Sequence, residues 1–376
     1  MIPNTFFEAI TAHFDDALPF VAYRKPRETF VKGLLQEDNT LYKTSDFIES
    51  GFVMAPFNAE KTSVLIPTAH SEFIKTDYSV SNSIEMSHDT RPISEANIGK
   101  QEHINLIEKG IKAIQARQFE KVVLSRCQTI SVGQTNFIET FKLLLNSYKT
   151  AFVYCWYHPT IGLWLGATPE TLLKVEGTRF ETMSLAGTQS YKGTLDVEWE
   201  AKEIDEQQIV TNSIVSHLEN TIESLQVGAT KTVKAGNLVH LQTKVRGTLN
   251  SEKARLSNIL KQLHPTPAVC GFPKEKAKQF ILENEHYDRE FYTGFLGELN
   301  MTQTRSRNAN RRNVENSAYT SVKTVSNLFV NLRCMQLLHK KARVYVGGGI
   351  TKKSQAIHEF EETVNKSHTM LKVLDY

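Results

Sequence analysis

Lys121 stands at the head of FEKVVLSR, an apolar, β-branched run that reads as a buried strand. Lysine is rarely buried unless it is paired or working, so an amine in such a strand is a candidate base. The plain alternative is a wet residue that merely precedes the strand. Glu170, in GATPETLL, follows a Thr-Pro turn and enters a second apolar run. A carboxyl there serves as a general acid when desolvation raises its pKa; otherwise it caps the local backbone. Glu203 and Glu206 lie three residues apart, on one face of a helix. Glu359, Glu361 and Glu362 crowd HEFEETVNK near the C-terminus. Magnesium takes oxygen ligands and is often held by one or two carboxylates with water and substrate, although most acidic helix faces are simply solvated. VYVGGGI (344–350) puts three glycines after a strand, where bare backbone offers N–H groups to an anion. It is not a Rossmann fingerprint, since no G-x-G-x-x-G opens a helix in a βαβ unit.

These residues need elements to position them. Ile104, Ile107, Ile111 and Ile114 recur at helical spacing and predict an amphipathic helix over 99–118. KVVLSRCQTISV follows as a strand and FIETFKLLLNSY as a helix. AFVYCWYHP, IGLWLGAT, ETLLKVEG and RFETMSLAGT read as strands separated by turns. WEAKEIDEQQIVTNSIVSHLENTIESL (199–225) reads as one long helix, and LVHLQTKVRGTL as a strand pair or a bent strand. SNILKQLHPTPAV is a helix stopped by proline. PKEKAKQFILENE is another helix, and RVYVGGGI a late strand. In residues 1–95 the segments FVMAPF and VLIPTA look like short strands. Strands come in runs broken by helices, which predicts an α+β fold with largely antiparallel sheets. No long Pro/Gly/Ser linker divides the chain, so a single domain over 1–376 is expected.

The composition suits a soluble globular protein: 376 residues, 40% hydrophobic, 23% charged, net charge +3. So small a charge argues against a dedicated nucleic-acid binder. No run approaches the roughly 20 apolar residues that span a bilayer. The N-terminus lacks a basic region followed by an apolar core, so no secretory signal is expected. Cys127, Cys155, Cys270 and Cys334 are far apart, which disfavours a zinc site or disulfide framework and suits a cytoplasmic setting. MTQTRSRNANRRNVENSAY (301–319) is polar and carries Arg305, Arg307, Arg311 and Arg312. Such a cluster can bind phosphates, but a solvated insertion between two strands is the commoner case, and the few aromatics do not support base stacking.

Taken together, KVVLSR, GATPETLL, SLAGT, KEIDEQ, LVHLQT, LHPTPAVCG, DREFYTGFLG, RVYVGGGI and EETVNK occur in the order found in chorismate-utilising enzymes. The resemblance covers about residues 95–376 and is strongest to isochorismate synthases. It implies a large α+β domain of two packed, mainly antiparallel sheets with helices outside. It also implies chorismate as substrate and Mg²⁺ as cofactor. Lys121 matches the family's general base, which removes a proton from the water attacking ring carbon 2. Glu170 matches the general acid that protonates the departing hydroxyl at ring carbon 4. Glu206 and Glu362 match the Mg²⁺ carboxylates, and Glu203 the acidic position that holds metal-bound water. Arg333 and Lys366 match cations for the side-chain carboxylate. Gly187 and Gly347 match backbone positions lining the substrate, and His240 a histidine close to the ring.

Residue identity separates members of the family. The covalent lysine of some aminodeoxychorismate synthases falls where this chain has Ala186. Amine-adding members lack a lysine at the Lys121 position, so Lys121 favours water as nucleophile and no glutamine amidotransferase subunit is implied. Salicylate synthases tend to carry threonine where this chain has Ala268; alanine resembles isochorismate synthases. The alternatives are a salicylate synthase, or a non-catalytic chorismate- or RNA-binding relative. The product would feed menaquinone or siderophore synthesis, and a monomer without membrane or nucleic-acid partners is expected. Gln207 stands where the family usually has histidine, so metal affinity is expected to shift.

Overall fold

The β-branched and aromatic runs form strands that are covered on both faces, which is why they read as near-continuous apolar stretches. A computed structural model describes residues 1–78, 99–133, 135–219, 221–236, 238–250, 255–305 and 321–374. Helix α1 (Pro3–Asp15) precedes β1 (Phe20–Arg24), β2 (Phe30–Gln36), β3 (Lys43–Thr44), β4 (Gly51–Ala55), β5 (Ser63–Pro67) and β6 (Ser71–Asp77). Helix α2 (Lys100–Gln115) leads into β7 (Lys121–Ser131), then α3 (Phe137–Ser147). Four strands follow: β8 (Phe152–His158), β9 (Gly162–Thr168), β10 (Thr171–Glu176) and β11 (Arg179–Ser190). Helix α4 (Ala201–Leu218) precedes β12 (Ile222–Val227), β13 (Lys231–Ala235) and β14 (Leu238–Leu249). The chain continues through α5 (Leu256–Leu263), β15 (Gly271–Phe272) and α6 (Lys274–Asn284). It closes with β16 (Phe295–Arg305), β17 (Ser321–Val330), β18 (Cys334–Leu338), β19 (Lys341–Ile350) and α7 (Ala356–Leu371).

Among the described residues the strands form two sheets. One runs β15-β7-β19-β18-β9-β8-β1-β2-β6; the other runs β12-β14-β11-β10-β17-β16-β4-β5-β3, with β13 also on β14. The described pairings are antiparallel, as in β19 on β7, where Gly349 faces Val123 and Gly347 faces Ser125. The first 77 residues feed both sheets, so they belong to the same architecture as the motif-bearing remainder. The expected α+β fold with two antiparallel sheets is therefore the observed one.

An aromatic layer fills the space between the sheets. Phe152 stacks on Phe329 at 4.3 Å, and Tyr345 is sandwiched between Trp164 and Tyr292 at 5.2 and 5.5 Å. Each such pair contributes about 0.5–1.5 kcal/mol beyond area burial. Helices cover the outer faces: α1 and α3 pack on one sheet, α4 and α5 on the other. Helix α2 lies over the β7–β19 edge with Ile104, Ile107 and Ile114 buried, as the spacing predicts.

Two expectations need correction. The long helix read over 199–225 ends at Leu218, where Thr221 donates through its amide and hydroxyl to the Leu218 carbonyl. IESL beyond it pairs with β14 instead, because its β-branched and apolar residues complete a sheet edge. The polar segment at 301–319 begins as strand, not loop: residues up to Arg305 extend β16, and Arg305 pairs with Ser321. Arg307, Arg311 and Arg312 lie outside the described residues. LVHLQTKVRGTL is a single strand, β14.

Candidate active site

Lys121 is fully buried. Alternation along β7 explains its direction, since Val122 and Leu124 pack under the helices and Lys121 points the other way. Its Nζ lies 2.9 Å from Glu206 Oε1 but off the angle of a hydrogen bond, so the amine is ion-paired without being locked. Gly349 on β19 makes this approach possible: a Cβ there would stand 2.3 Å from Glu206 Oε1 and 3.2 Å from Lys121 Cε.

Glu170 sits in the turn between β9 and β10. Thr168 Oγ1 donates to the Val330 carbonyl and accepts from Glu170 N–H, while Val330 N–H donates to the Glu170 carbonyl. The Thr-Pro-Glu turn is thus fastened to the end of β17, and the carboxyl is 2% exposed. Burial pushes it up to about 8, against the opposing pull of Lys121 and Arg333. It is therefore protonated at neutral pH. Arg333 follows β17 with φ 47°, a left-handed backbone that non-glycine residues hold only where the surroundings enforce it. Its carbonyl accepts from Ala167 N–H, which draws this bend against β9.

His240 lies on β14 opposite an irregularity in β11 at Gly187 and Thr188. Gly187 has φ +72°, and its carbonyl accepts a 2.9 Å hydrogen bond from His240 Nδ1. That fixes the proton on Nδ1 and leaves Nε2, which is buried and unpartnered, as an acceptor. Burial, then the charge of Arg333, push the imidazole down to about 3, so it is neutral.

Two helices supply carboxylates at the same i, i+3 spacing: Glu203 and Glu206 on α4, Glu359 and Glu362 on α7. Lys202 pairs with Glu359 Oε1, and Lys366 pairs with Glu362 while donating to the Gly347 carbonyl at 3.1 Å. Burial pushes the Glu206 carboxyl up, but Lys121, Lys202 and Lys366 outweigh it and hold it low. Glu203 and Glu359 are raised, chiefly by burial. Each keeps one buried oxygen, Oε2, without a hydrogen-bond partner. Among the described residues no group of three or more His, Cys, Asp or Glu side chains is arranged to hold a metal ion, and lysines pair with Glu206, Glu359 and Glu362. The donor set is nevertheless that of a hard cation, all oxygen and partly unsatisfied.

A sequence model described as chorismate binding enzyme matches residues 54–305, and a second of the same description matches residues 318–372. The chain belongs to the chorismate-binding enzyme family. Isochorismate synthase EntC of Escherichia coli strain K12 is 30% identical over 268 residues, 68% of this chain and 62% of that protein. Isochorismate synthase MenF of Haemophilus influenzae is 26% identical over 272 residues, 69% of this chain and 57% of its own length. The matched stretch thus spans less than two thirds of these relatives. A crystal structure from Bacillus anthracis, described as a 2,3-dihydroxybenzoate-specific isochorismate synthase, DhbC, superimposes with a TM-score of 0.74. It covers 96% of this chain and 98% of that one at 21% identity, which establishes the shared fold.

Within this chorismate-binding fold the residues singled out in the sequence do not all behave alike. Lys121, Glu170, Arg333, His240, Lys366 and Glu206 lie near enough to act on one another's charge. Gly187 makes room for α4: a Cβ there would meet Glu203 Cβ at 3.0 Å. A Cβ on Gly347 would meet the Leu124 carbonyl at 2.9 Å and the Tyr292 hydroxyl at 3.0 Å. Ala268 is half-buried in the loop after α5 and packs against the cluster under α4 and α5. Gln207 does not face the carboxylates. It is buried, and its amide nitrogen lies within 2.6–3.0 Å of the hydroxyls of Ser184, Thr211 and Thr243, which docks α4 on the sheet.

Sequence reading passed over two features. Lys202 joins the carboxylate cluster through Glu359, one of the acidic residues already singled out near the C-terminus. A buried clamp also holds the Lys121 strand. Glu285 accepts from Ser125 N–H and Oγ at 2.7 and 2.9 Å, and Arg289 pairs with Glu285. Arg289 also donates to the carbonyls of Val123 on β7 and Val269 beside Ala268, at 2.7 and 3.0 Å. These contacts are long-range, so no local pattern announces them.

Proposed function

We propose that this chain is an isochorismate synthase, converting chorismate to isochorismate with Mg²⁺. The single observation that carries the reading is Glu170, a carboxyl buried within reach of the charge of the buried Lys121 and raised by burial to about 8. Lys121, in its neutral form, takes a proton from the water that adds at ring carbon 2. The ring double bonds shift, and Glu170 gives its proton to the hydroxyl leaving ring carbon 4. One water enters and one leaves, so the product is an isomer of the substrate. Lys121 and Glu170 then return to their starting states by proton exchange with solvent.

Chorismate is a dianion, and the site offers it Arg333 and Lys366. The planar fork of Arg333 suits a bidentate carboxylate contact. The unpartnered Nε2 of His240 accepts a hydrogen bond from a ring hydroxyl. Glu206 and Glu362 would hold Mg²⁺, with Glu203 and Glu359 supplying further oxygens. The cation, when bound, supplies counter-charge and a template for the ring carboxylate. Ala268, near the Lys121 strand through the Arg289 clamp, borders the substrate at the position where salicylate synthases tend to carry threonine. The protein acts in the cytoplasm and feeds menaquinone or siderophore synthesis.

The test is product analysis. The purified chain is incubated with chorismate and Mg²⁺, with and without EDTA, and the products are separated while pyruvate is assayed. Isochorismate without pyruvate, lost on chelation, is the expected result. Salicylate with equal pyruvate would replace this reading with that of a salicylate synthase, and no conversion would overturn it.

A further inference from the structure

A cavity of about 510 Å³ opens beside the carboxylate cluster, between the end of α2, the first turns of α4 and α6, and the residues after β19. That volume lies within the range of small-molecule sites, about 300–1,000 Å³. Ile114, Phe119 and Ile209 give it an apolar wall. Arg117, Lys202, Lys276, Lys352 and Lys353 line it as well, against only two acids, Glu120 and Asp205. Asp205 is already paired with Lys353 at 3.0 Å. Arg117, Lys276 and Lys352 make no ion pair among the described residues. The chain carries only +3 over 376 residues, so an excess of three cations in one cavity is a local concentration. Lys202 is the link to the main site, since it lines the cavity while its amine ends on Glu359.

We propose that this cavity binds a small organic carboxylate with an apolar body, and that Lys202 couples its occupancy to the carboxylate cluster. The apolar wall takes the body and the unpaired cations take the charge. A bound anion draws Lys202 away from Glu359 and frees that carboxylate for a cation. Coupling of this kind is reciprocal, so each ligand strengthens the other. The coupling rests on the magnesium reading above, whereas the binding site does not, and the two are tested separately.

Calorimetric titration of the full chain with phthalate, an aromatic dicarboxylate, at low salt tests the site. Saturable binding is expected, weakened about tenfold or more by Lys276→Glu combined with Lys352→Glu. These side chains are exposed, so the fold tolerates the change. Arg333→Ala, which removes one of the two cations offered to the substrate at the main site, should leave phthalate affinity unchanged. No binding by the wild type, or binding lost in Arg333→Ala and intact in the double variant, would overturn the proposal. Saturating phthalate should raise Mg²⁺ affinity in the wild type and not in Lys202→Met. Equal Mg²⁺ affinity with and without phthalate in the wild type would overturn the coupling.

Discussion

Among the described residues, lysine–glutamate clusters surround buried groups in two places, and they are built on opposite terms. Glu298 on β16 receives four donors: Tyr23 Oη at 2.8 Å, Lys25 Nζ at 2.9 Å, Lys32 Nζ at 2.7 Å and Asn327 Nδ2 at 3.0 Å. Burial pushes its carboxyl up, but Lys25 and Lys32 overwhelm that and hold it at about 2. The cluster around Lys121 leaves polar atoms without hydrogen bonds instead: Lys121 Nζ, Glu203 Oε2, Glu359 Oε2 and His240 Nε2. Its Glu170 is raised rather than lowered. An unpartnered buried polar group costs about 1–3 kcal/mol, so a site that retains several is built for something that arrives later. The first cluster joins elements of the two sheets; the second leaves buried polar atoms unpartnered, as the proposed ligand site requires.

That contrast can be broken by mutation, and the largest effect should be on chemistry. Lys121→Met and Glu170→Gln should each lower turnover by about two to four orders of magnitude, with the circular dichroism spectrum unchanged. Glu298→Ala should do the reverse, keeping the active-site constellation while destabilising the fold by about 3 kcal/mol, because it strands two half-buried cations. A shift of the urea midpoint reads this directly. If Glu298→Ala left the midpoint unchanged, the difference between the two clusters would vanish.

Stability against pH sharpens the comparison. Glu298 is held below its ordinary value of 4.5, so its contribution is present above that value and is lost as pH falls toward 2. Glu170 is raised, so its contribution is present below 4.5 and is lost as pH rises toward 8. Glu170→Gln should therefore raise the unfolding temperature at pH 8 relative to the wild type and change it little at pH 4. Equal shifts at both pH values would contradict the burial argument. The smallest effect belongs to Gly349→Ala. Its Cβ would press on the movable end of Glu206, so the fold should survive while Mg²⁺ affinity falls several-fold, about 1 kcal/mol, read by calorimetry.

What could be read in the sequence follows from how local each signal is. Lys121 stood out because a charge at the head of a β-branched run is a contradiction within eight residues. Glu203 and Glu206 stood out by helical spacing, and Glu359 and Glu362 by the crowding of acids in HEFEETVNK. Glu298 was not singled out, because its four donors come from β1, β2 and β17 and from the residue after β1, three of them more than 260 residues away. The Glu285–Arg289 clamp was invisible for the same reason. The end of α4 was misplaced because LENTIESL carries no proline or glycine, and only its pairing with β14 decides for strand. Gln207 was read as a neighbour of the metal, since sequence adjacency to Glu206 does not reveal that the next residue on a helix points elsewhere.

The central claim is that Glu170 waits protonated near Lys121. Carbon-13 NMR of glutamate-labelled protein, with Glu170→Gln supplying the assignment, measures that directly. The account predicts a carboxyl that titrates near 8 in the ligand-free chain. A midpoint near the ordinary 4.5 would mean that the carboxyl is ionised at neutral pH and has no proton to give.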